Sequence, residues 1–280
     1  MTRSGPTVGR DVTLLSALSA ALMVAFVAVP PRWAARVSGV EIADSPTLRS
    51  TFQQAFIAYW TSGDRDFPPR LARVVDYWAG FHLAKAVLAA LLLVALTALG
   101  VQLWTAFVRA DALGPAGRAA TAAAGVLVVP LAVLSLLVVM ANIQGAAAPF
   151  ASLLPFLVEG EPGGELGAVL GRVEQSLAVV PPTTQSPPAL ATMIGDFSRY
   201  HAVMVVIAAM VAIVLVVLTM SCWRSLRTTP PADRRRRHVV GSFGLVFAML
   251  SLAAGVVAVA NHSTTADPAP ALRVMLTGGW

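Results

Sequence analysis

A chain of 280 residues that is 57% hydrophobic and only 12% charged cannot cover itself as a water-soluble domain does, with about 25% charged residues. The net charge of +6 rests on arginine, because Lys85 is the one lysine among 20 basic residues. Many of those arginines stand in short turns between apolar runs, so they read as membrane orientation signals and not as a nucleic-acid footprint. The outer loop from Pro31 to His82 carries several more, but it is long and mixed with Asp and Glu, and long loops translocate largely regardless of charge. The single cysteine, Cys222, excludes an intramolecular disulfide and any cluster or zinc site built on several thiolates.

A membrane-spanning helix needs about 20 mostly apolar residues. Five runs qualify: Val12 to Val29, Leu83 to Val108, Ala119 to Ala141, Ala202 to Trp223 and Val239 to Ala260. None holds an acidic residue, and helix is the state that satisfies its own backbone hydrogen bonds in lipid. The first run is expected to stop at Pro30-Pro31. It reads as a retained anchor; the alternative is a cleaved signal peptide, for which no clean A-x-A site follows. The outer segment 31–67 then shows Ser45-Pro46, an N-cap with proline at the first helical position. The helix after it places Phe52, Phe56, Ile57 and Trp60 on one face, to pack on the bundle or lie in the outer lipid interface. A second short amphipathic helix is predicted at Glu165 to Ala178. The run Pro181-Pro182-Thr183-Thr184-Gln185-Ser186-Pro187-Pro188 breaks the chain after it.

Orientation follows from arginine placement. The turn between the fourth and fifth runs holds Arg224, Arg227 and the unbroken Arg234, Arg235, Arg236 and Arg237, which assigns it to the cytoplasmic side. Arg109 and Arg118 fall on the same side, as does the N-terminus with Arg3 and Arg10. The C-terminus then lies outside the plasma membrane. The four-arginine run also attracts anionic lipid headgroups, at roughly 1 kcal/mol per residue near the surface.

The strongest pattern is an internal one. Shifted by 119 residues, the chain aligns with itself without a gap: Pro68-Pro69 on Pro187-Pro188, Phe81-His82 on Tyr200-His201, Trp104 on Trp223, Arg118 on Arg237, Gly125 on Gly244, Ala141-Asn142 on Ala260-Asn261, Pro149 on Pro268 and Leu153 on Leu272. Alanine and leucine matches mean little in this composition; matches of His, Trp, Asn and Pro-Pro in one frame mean more. Each unit crosses the membrane twice, so the copies are parallel repeats about an axis along the membrane normal. The organisation is 1–30 for the N-terminus and first span, 31–67 for the outer segment, 68–153 for repeat 1, 154–186 for an outer linker, 187–272 for repeat 2 and 273–280 for the tail. His82 to Trp104 is 22 steps, or ~33 Å at about 1.5 Å per residue, close to the hydrocarbon thickness. His82, His201, Asn142 and Asn261 therefore mark the outer level, and Trp104 and Trp223 the inner one.

Those two histidines and two asparagines are the candidate site. Paired ligation of a haem iron or metal is one reading, but no H-x-x-H or E-x-x-H spacing accompanies them. A structural polar layer is favoured, with Asn142 and Asn261 as helix C-caps before a turn at Pro149 and Pro268. Asp76 and Asp196, with Ser62 and Ser198, lack any nucleophile-elbow motif, which leaves no hydrolase signature. Lys85 lies one turn inside its span and is expected to snorkel. Pro130 is a potential kink, and Gly125, Gly244 and Gly255 suit close helix packing.

The doubled pattern Pro-Pro-x-Leu-Ala, Phe/Tyr-His, Trp, Ala-Asn and Pro, with the Gly278-Gly279-Trp280 end, resembles an uncharacterised multi-pass membrane family of high-GC Gram-positive, actinobacterial organisms. The alanine, valine and arginine usage suits such a genome. The resemblance implies location and membrane class, and no chemistry.

The sequence thus predicts an all-α integral membrane protein. Five transmembrane helices are expected, four of them in two tandem helical hairpins, with short outer amphipathic helices. Its favoured function is a non-enzymatic envelope accessory or assembly subunit, working among lipid and other envelope membrane proteins. A small-ligand or cofactor protein (b-type haem or quinone) using the His/Asn layer is the alternative. A transporter is the third reading, and it would need a polar path at mid-membrane that the spans do not show.

Overall fold

A computed structural model describes residues 5–109, 114–160, 162–178 and 187–278. It is an all-α multi-pass membrane fold, with no strand among the described residues. In chain order the helices are α1 (Gly5–Ser38), α2 (Ser45–Ser62), α3 (Pro69–Val108), α4 (Pro115–Ala147), α5 (Pro149–Leu153), a 3-10 turn (Leu154–Leu157), α6 (Gly164–Ala178), α7 (Pro188–Thr228), α8 (Arg234–Ala266) and α9 (Pro268–Leu276). α1, α3, α4, α7 and α8 are long and apolar enough to cross a membrane. They exceed the apolar runs that announce them: 40 residues in α3 make ~60 Å at about 1.5 Å per residue, twice the ~30 Å hydrocarbon layer. The proline-rich break at 181–186, the terminal Gly279-Trp280 and Arg3 lie outside the described residues.

Helix boundaries keep the 119-residue register. α3 and α7 start at Pro69 and Pro188, α4 and α8 at Pro115 and Arg234, and α5 and α9 at Pro149 and Pro268; α4 and α8 end at Ala147 and Ala266. Proline at the first turn explains most of these starts, since its fixed φ suits the helix and its missing N–H would be unsatisfied there anyway.

Several expectations are corrected. The first helix does not stop at Pro30-Pro31 but runs through both prolines to Ser38. Proline inside a helix removes one backbone bond and costs about 3 kcal/mol. Tertiary packing offsets this, because beyond the prolines Ala34 is fully buried and its Cα would stand 3.4 Å from a Cβ built on Gly80. The N-cap of α2 is Asp44, one residue before Ser45. It sits in extended backbone, and its carboxylate accepts from the Thr47 amide at 2.8 Å, which places Pro46 at the second helical position. Asn142 and Asn261 are not C-caps, because α4 and α8 continue past them to Ala147 and Ala266. The prolines expected to mark turns instead open the short helices α5 and α9. Gly125 and Gly244 do face close neighbours, Trp104 and Cys222, but nothing lies within 4 Å of a Cβ placed on Gly255. That glycine plays no part in close packing.

By internal contacts the chain divides into two units. One comprises the described parts of Met1–Ala28, Lys85–Met140 and Ile207–Val256. Its small core joins Leu96, Leu99 and Leu103 of α3 to Val128 of α4, with Val12 and Leu15 of α1 against them. Two interhelical hydrogen bonds add to it. Ser135 Oγ donates to the Ala89 carbonyl at 2.8 Å, and Ser251 Oγ to the Ala212 carbonyl at 3.2 Å. Lys85 places its Nζ 4.9 Å from the centre of the Phe26 ring, a cation–π contact that a lysine near an apolar face can make.

The other unit comprises Val29–Ala84, Ala141–Val206 and the described part of Val257–Trp280. Its core is larger and aromatic. Phe52, Phe56 and Tyr59 of α2 meet Phe150 of α5, Leu153, Leu154 and Leu157, with Leu71, Leu190 and Leu272 completing the interior. The predicted face of α2 is thus occupied by protein, with Ile57 half-buried at its margin. α6 lays Leu166, Val169, Leu170, Val173 and Leu177 into this core, an i, i+3, i+4, i+7 stripe. Gln53 Nε2 ties α2 to the Phe156 carbonyl at 2.8 Å, and Trp78 Nε1 donates to Ser152 Oγ at 2.8 Å. Burial of the Tyr59 phenol, whose hydroxyl donates to the Arg65 carbonyl at 3.0 Å, pushes its pKa up from the usual value.

Candidate functional site

Each predicted histidine meets the asparagine of its own hairpin. His82 on α3 and Asn142 on α4 stand 2.9 Å apart through Nδ1 and Oδ1; His201 on α7 and Asn261 on α8 stand 2.7 Å apart through the same atoms. Sequence separation is 60 residues in both. The tautomer follows from the chemistry. Asn261 Nδ2 donates to the Val257 carbonyl at 2.8 Å, which turns its Oδ1 toward the ring. An amide oxygen can only accept, so His201 Nδ1 carries the proton and donates. The same contact assigns the Nδ1 proton of His82.

The rings are seated by aromatic neighbours one turn or one residue away. Trp78 lies 4.5 Å from His82 and Phe197 lies 4.7 Å from His201, both edge to face; Phe81 and Tyr200 flank the same rings at 5.8 and 5.5 Å. On another side His82 rests on backbone. A Cβ built on Gly145 would stand 2.8 Å from the ring Cγ, closer than real carbon contacts allow. No haem-sized space exists on that face of His82, and neither of the two cavities described below is lined by these histidines or asparagines. Chemically, each pair is a hydrogen-bonded clamp between two helices.

The arginine run is not the loop that the sequence suggested. Arg234 opens α8, so all four arginines lie in its first turn. Positive charge there opposes the helix dipole, and Asp233 compensates as a cap: its Oδ1 accepts from the Arg236 amide at 3.2 Å. The four also differ in role. Arg237 donates through Nη1 to the Leu226 and Thr229 carbonyls at 3.0 and 2.9 Å, which satisfies the orphan carbonyls at the end of α7. Arg234, Arg235 and Arg236 are exposed.

Other candidates resolve as structure. Asp196 Oδ2 accepts from the Ala151 amide at 2.8 Å, so it caps α5 from outside that helix. Ser198 donates to the Thr265 carbonyl, Ser62 to the Tyr59 carbonyl, and Asp76 is exposed. Trp104 and Trp223 align in sequence but differ in place. Trp104 lies on Gly125 with its Nε1 buried and without a hydrogen-bond partner, whereas Trp223 is exposed beneath the Arg227 guanidinium at 5.4 Å.

Sequence reasoning missed Gly145, although it stands three residues after Asn142 on the same helix face. It also missed a cavity of about 940 Å³ among α3, α4, α7 and α8 in the first unit, with a smaller one of about 410 Å³ beside it. No family model, curated protein or solved structure matches the chain.

Proposed function

We propose that this chain is a non-enzymatic multi-pass protein of the plasma membrane that serves as an accessory or assembly subunit of the cell envelope in a high-GC Gram-positive bacterium. One observation carries the reading. The chain buries only 6% of the apolar window of α1 and 6% of that of α8, against 39% in α3. Helices so little covered by their own chain have room for other membrane helices. The two histidines and two asparagines of the candidate site are meanwhile hydrogen-bonded in the clamps that hold α3 to α4 and α7 to α8. The same reading makes the two hairpins a tandem duplication, supported by the common 119-residue register of helix starts.

Orientation completes the proposal. The ends of α7 and α8 that carry Arg224, Arg227 and Arg234 to Arg237 face the cytoplasm, as the excess of arginine in short turns directs, and the exposed arginines meet anionic headgroups. The test is photo-crosslinking in the native membrane from exposed positions on α8, Leu252 and Val259, with buried Leu96 as control. Crosslinks from both α8 positions to one defined membrane protein are expected. Crosslinks to lipid alone would overturn the subunit reading. Reporter fusions after Thr229 and after Thr277 check the orientation: inside for the first, outside for the second.

A further inference from the structure

The larger cavity is charged at one end and apolar along the rest of its length. Along α3 it runs from Leu96 to Arg109, and along α8 from Arg236 to Leu250. Thirteen or fourteen residues of helix are ~20 Å at about 1.5 Å per residue. One end holds the guanidinium groups of Arg109 and Arg236 with the single carboxylate of Asp233, a net positive mouth. Away from that end the wall is apolar, formed by Val101, Val128, Val246, Phe247 and Leu250, with Thr97, Thr105 and Cys222 as its mild polar exceptions. The smaller cavity shares Trp104, Val129, Val239, Phe243 and Val246 with it. The two are therefore neighbouring chambers, with the Trp104–Phe243 pair, ring centres 5.5 Å apart, on their common wall.

We infer that this groove seats one anionic phospholipid of the surrounding leaflet, with its phosphate against Arg109 and Arg236 and its acyl chains along the Val/Phe wall. Three features argue for lipid. Half of a ~30 Å hydrocarbon core plus the headgroup layer matches the ~20 Å depth. A volume of about 940 Å³ lies at the upper end of the roughly 300–1,000 Å³ of ligand sites, as an acyl chain pair needs. The charge lies at one end only, as a lipid's does, whereas a partner helix would present side chains along its whole length. Trp104 shapes the chamber because Gly125 lets the indole lie flat: a Cβ there would stand 2.9 Å from the indole Cε2. The site shares one premise with the orientation proposal, that the arginine end lies at an anionic headgroup layer. It does not depend on a partner subunit.

Native mass spectrometry of the full chain, extracted from vesicles of phosphatidylglycerol and phosphatidylcholine in equal parts, tests this. The wild type is expected to keep one phosphatidylglycerol through delipidating detergent. Arg109→Gln and Arg236→Gln are each expected to lower retention about fivefold, and the double variant about thirtyfold, from the worth of a basic residue at an anionic surface. Val101→Trp, which enlarges an exposed apolar wall residue without touching charge, is expected to expel the lipid. Arg172→Gln, at an exposed arginine of α6 that lines neither cavity, is expected to change nothing. Equal retention in the double variant and wild type, equal retention of phosphatidylcholine, or a bound peptide in place of lipid would each overturn the assignment. A reversed orientation in the reporter fusions would move the lipid to the other leaflet and leave these ratios intact, so the two failures are distinguishable.

Discussion

At the scale of single residues, the clamps differ in their access to water, and this sets what they contribute. Asn142 is buried at 7% exposure, whereas Asn261 is only half-buried. In Asn142→Leu the donor that loses its acceptor is the half-buried His82 Nδ1–H, and a donor left unsatisfied away from water bears a desolvation penalty of about 1–3 kcal/mol. Asn142→Leu is therefore expected to destabilise the folded protein by about that amount in denaturant titrations in detergent, and Asn261→Leu by less, because water can replace the lost oxygen. Glycine sharpens the point. Gly145→Ala would set a methyl group against the His82 ring, and overpacking of this kind costs about 1–3 kcal/mol. Gly255→Ala meets nothing within 4 Å and replaces a poor helix former by a good one, so it should be neutral or stabilising by up to about 1 kcal/mol. A loss at Gly145 with none at Gly255 would tie the effect to the clamp; a loss at both would remove the clamp's special role.

At the scale of elements, α2 offers a pH-dependent test. The side chain and then the amide of Thr47 hold the exposed Asp44 carboxyl below its usual pKa of 3.8. A depressed folded-state value means that the cap's stabilisation is complete above the unfolded pKa and is lost as pH falls through the folded one. Amide exchange at the start of α2 should accordingly be faster in Asp44→Ala than in wild type near neutrality. The gap should close in strongly acid solution, below the usual carboxylate range; a gap that persisted there would deny the carboxylate its role. This cap also shows what sequence could reveal. The existence of α2 and its apolar face was legible, because Phe52, Phe56 and Trp60 recur with helical period. The choice of Asp44 over Ser45 was not, since both are good caps and backbone geometry decides between them. The helix through Pro30-Pro31 was illegible for a stronger reason. Local chemistry argues for a stop there, and packing distant in sequence, such as the burial of Ala34 against Gly80, opposes it. His82 with Asn142, and His201 with Asn261, were legible as repeated residues at one level because the repeat exposed them. Their direct bonding needed the close approach of helices that Gly145 permits.

At the scale of the whole molecule, the spans were legible from length and hydropathy alone, because a bilayer demands about 20 apolar residues whatever they pack against. What covers them is a different matter, since lipid and partner helices select the same apolar side chains. The exposed residues Leu252, Val256 and Val259 of α8 decide between the two. Against fluid lipid, Leu252→Trp or Val259→Trp exchanges one apolar surface for another, and the purified protein should keep its stability within about 0.5 kcal/mol, as surface substitutions usually do. Against a packed partner, the added ring has no space, and close-packed interfaces reject even small increases in volume. The subunit proposal therefore expects a divided result: unchanged unfolding in detergent, with loss of the crosslinked partner in the native membrane. Loss of stability in detergent would instead mean that α8 packs within its own chain more than its 6% burial indicates. Unchanged behaviour in both settings would mean that this face looks onto lipid, and, as crosslinks to lipid alone would, it would overturn the subunit reading.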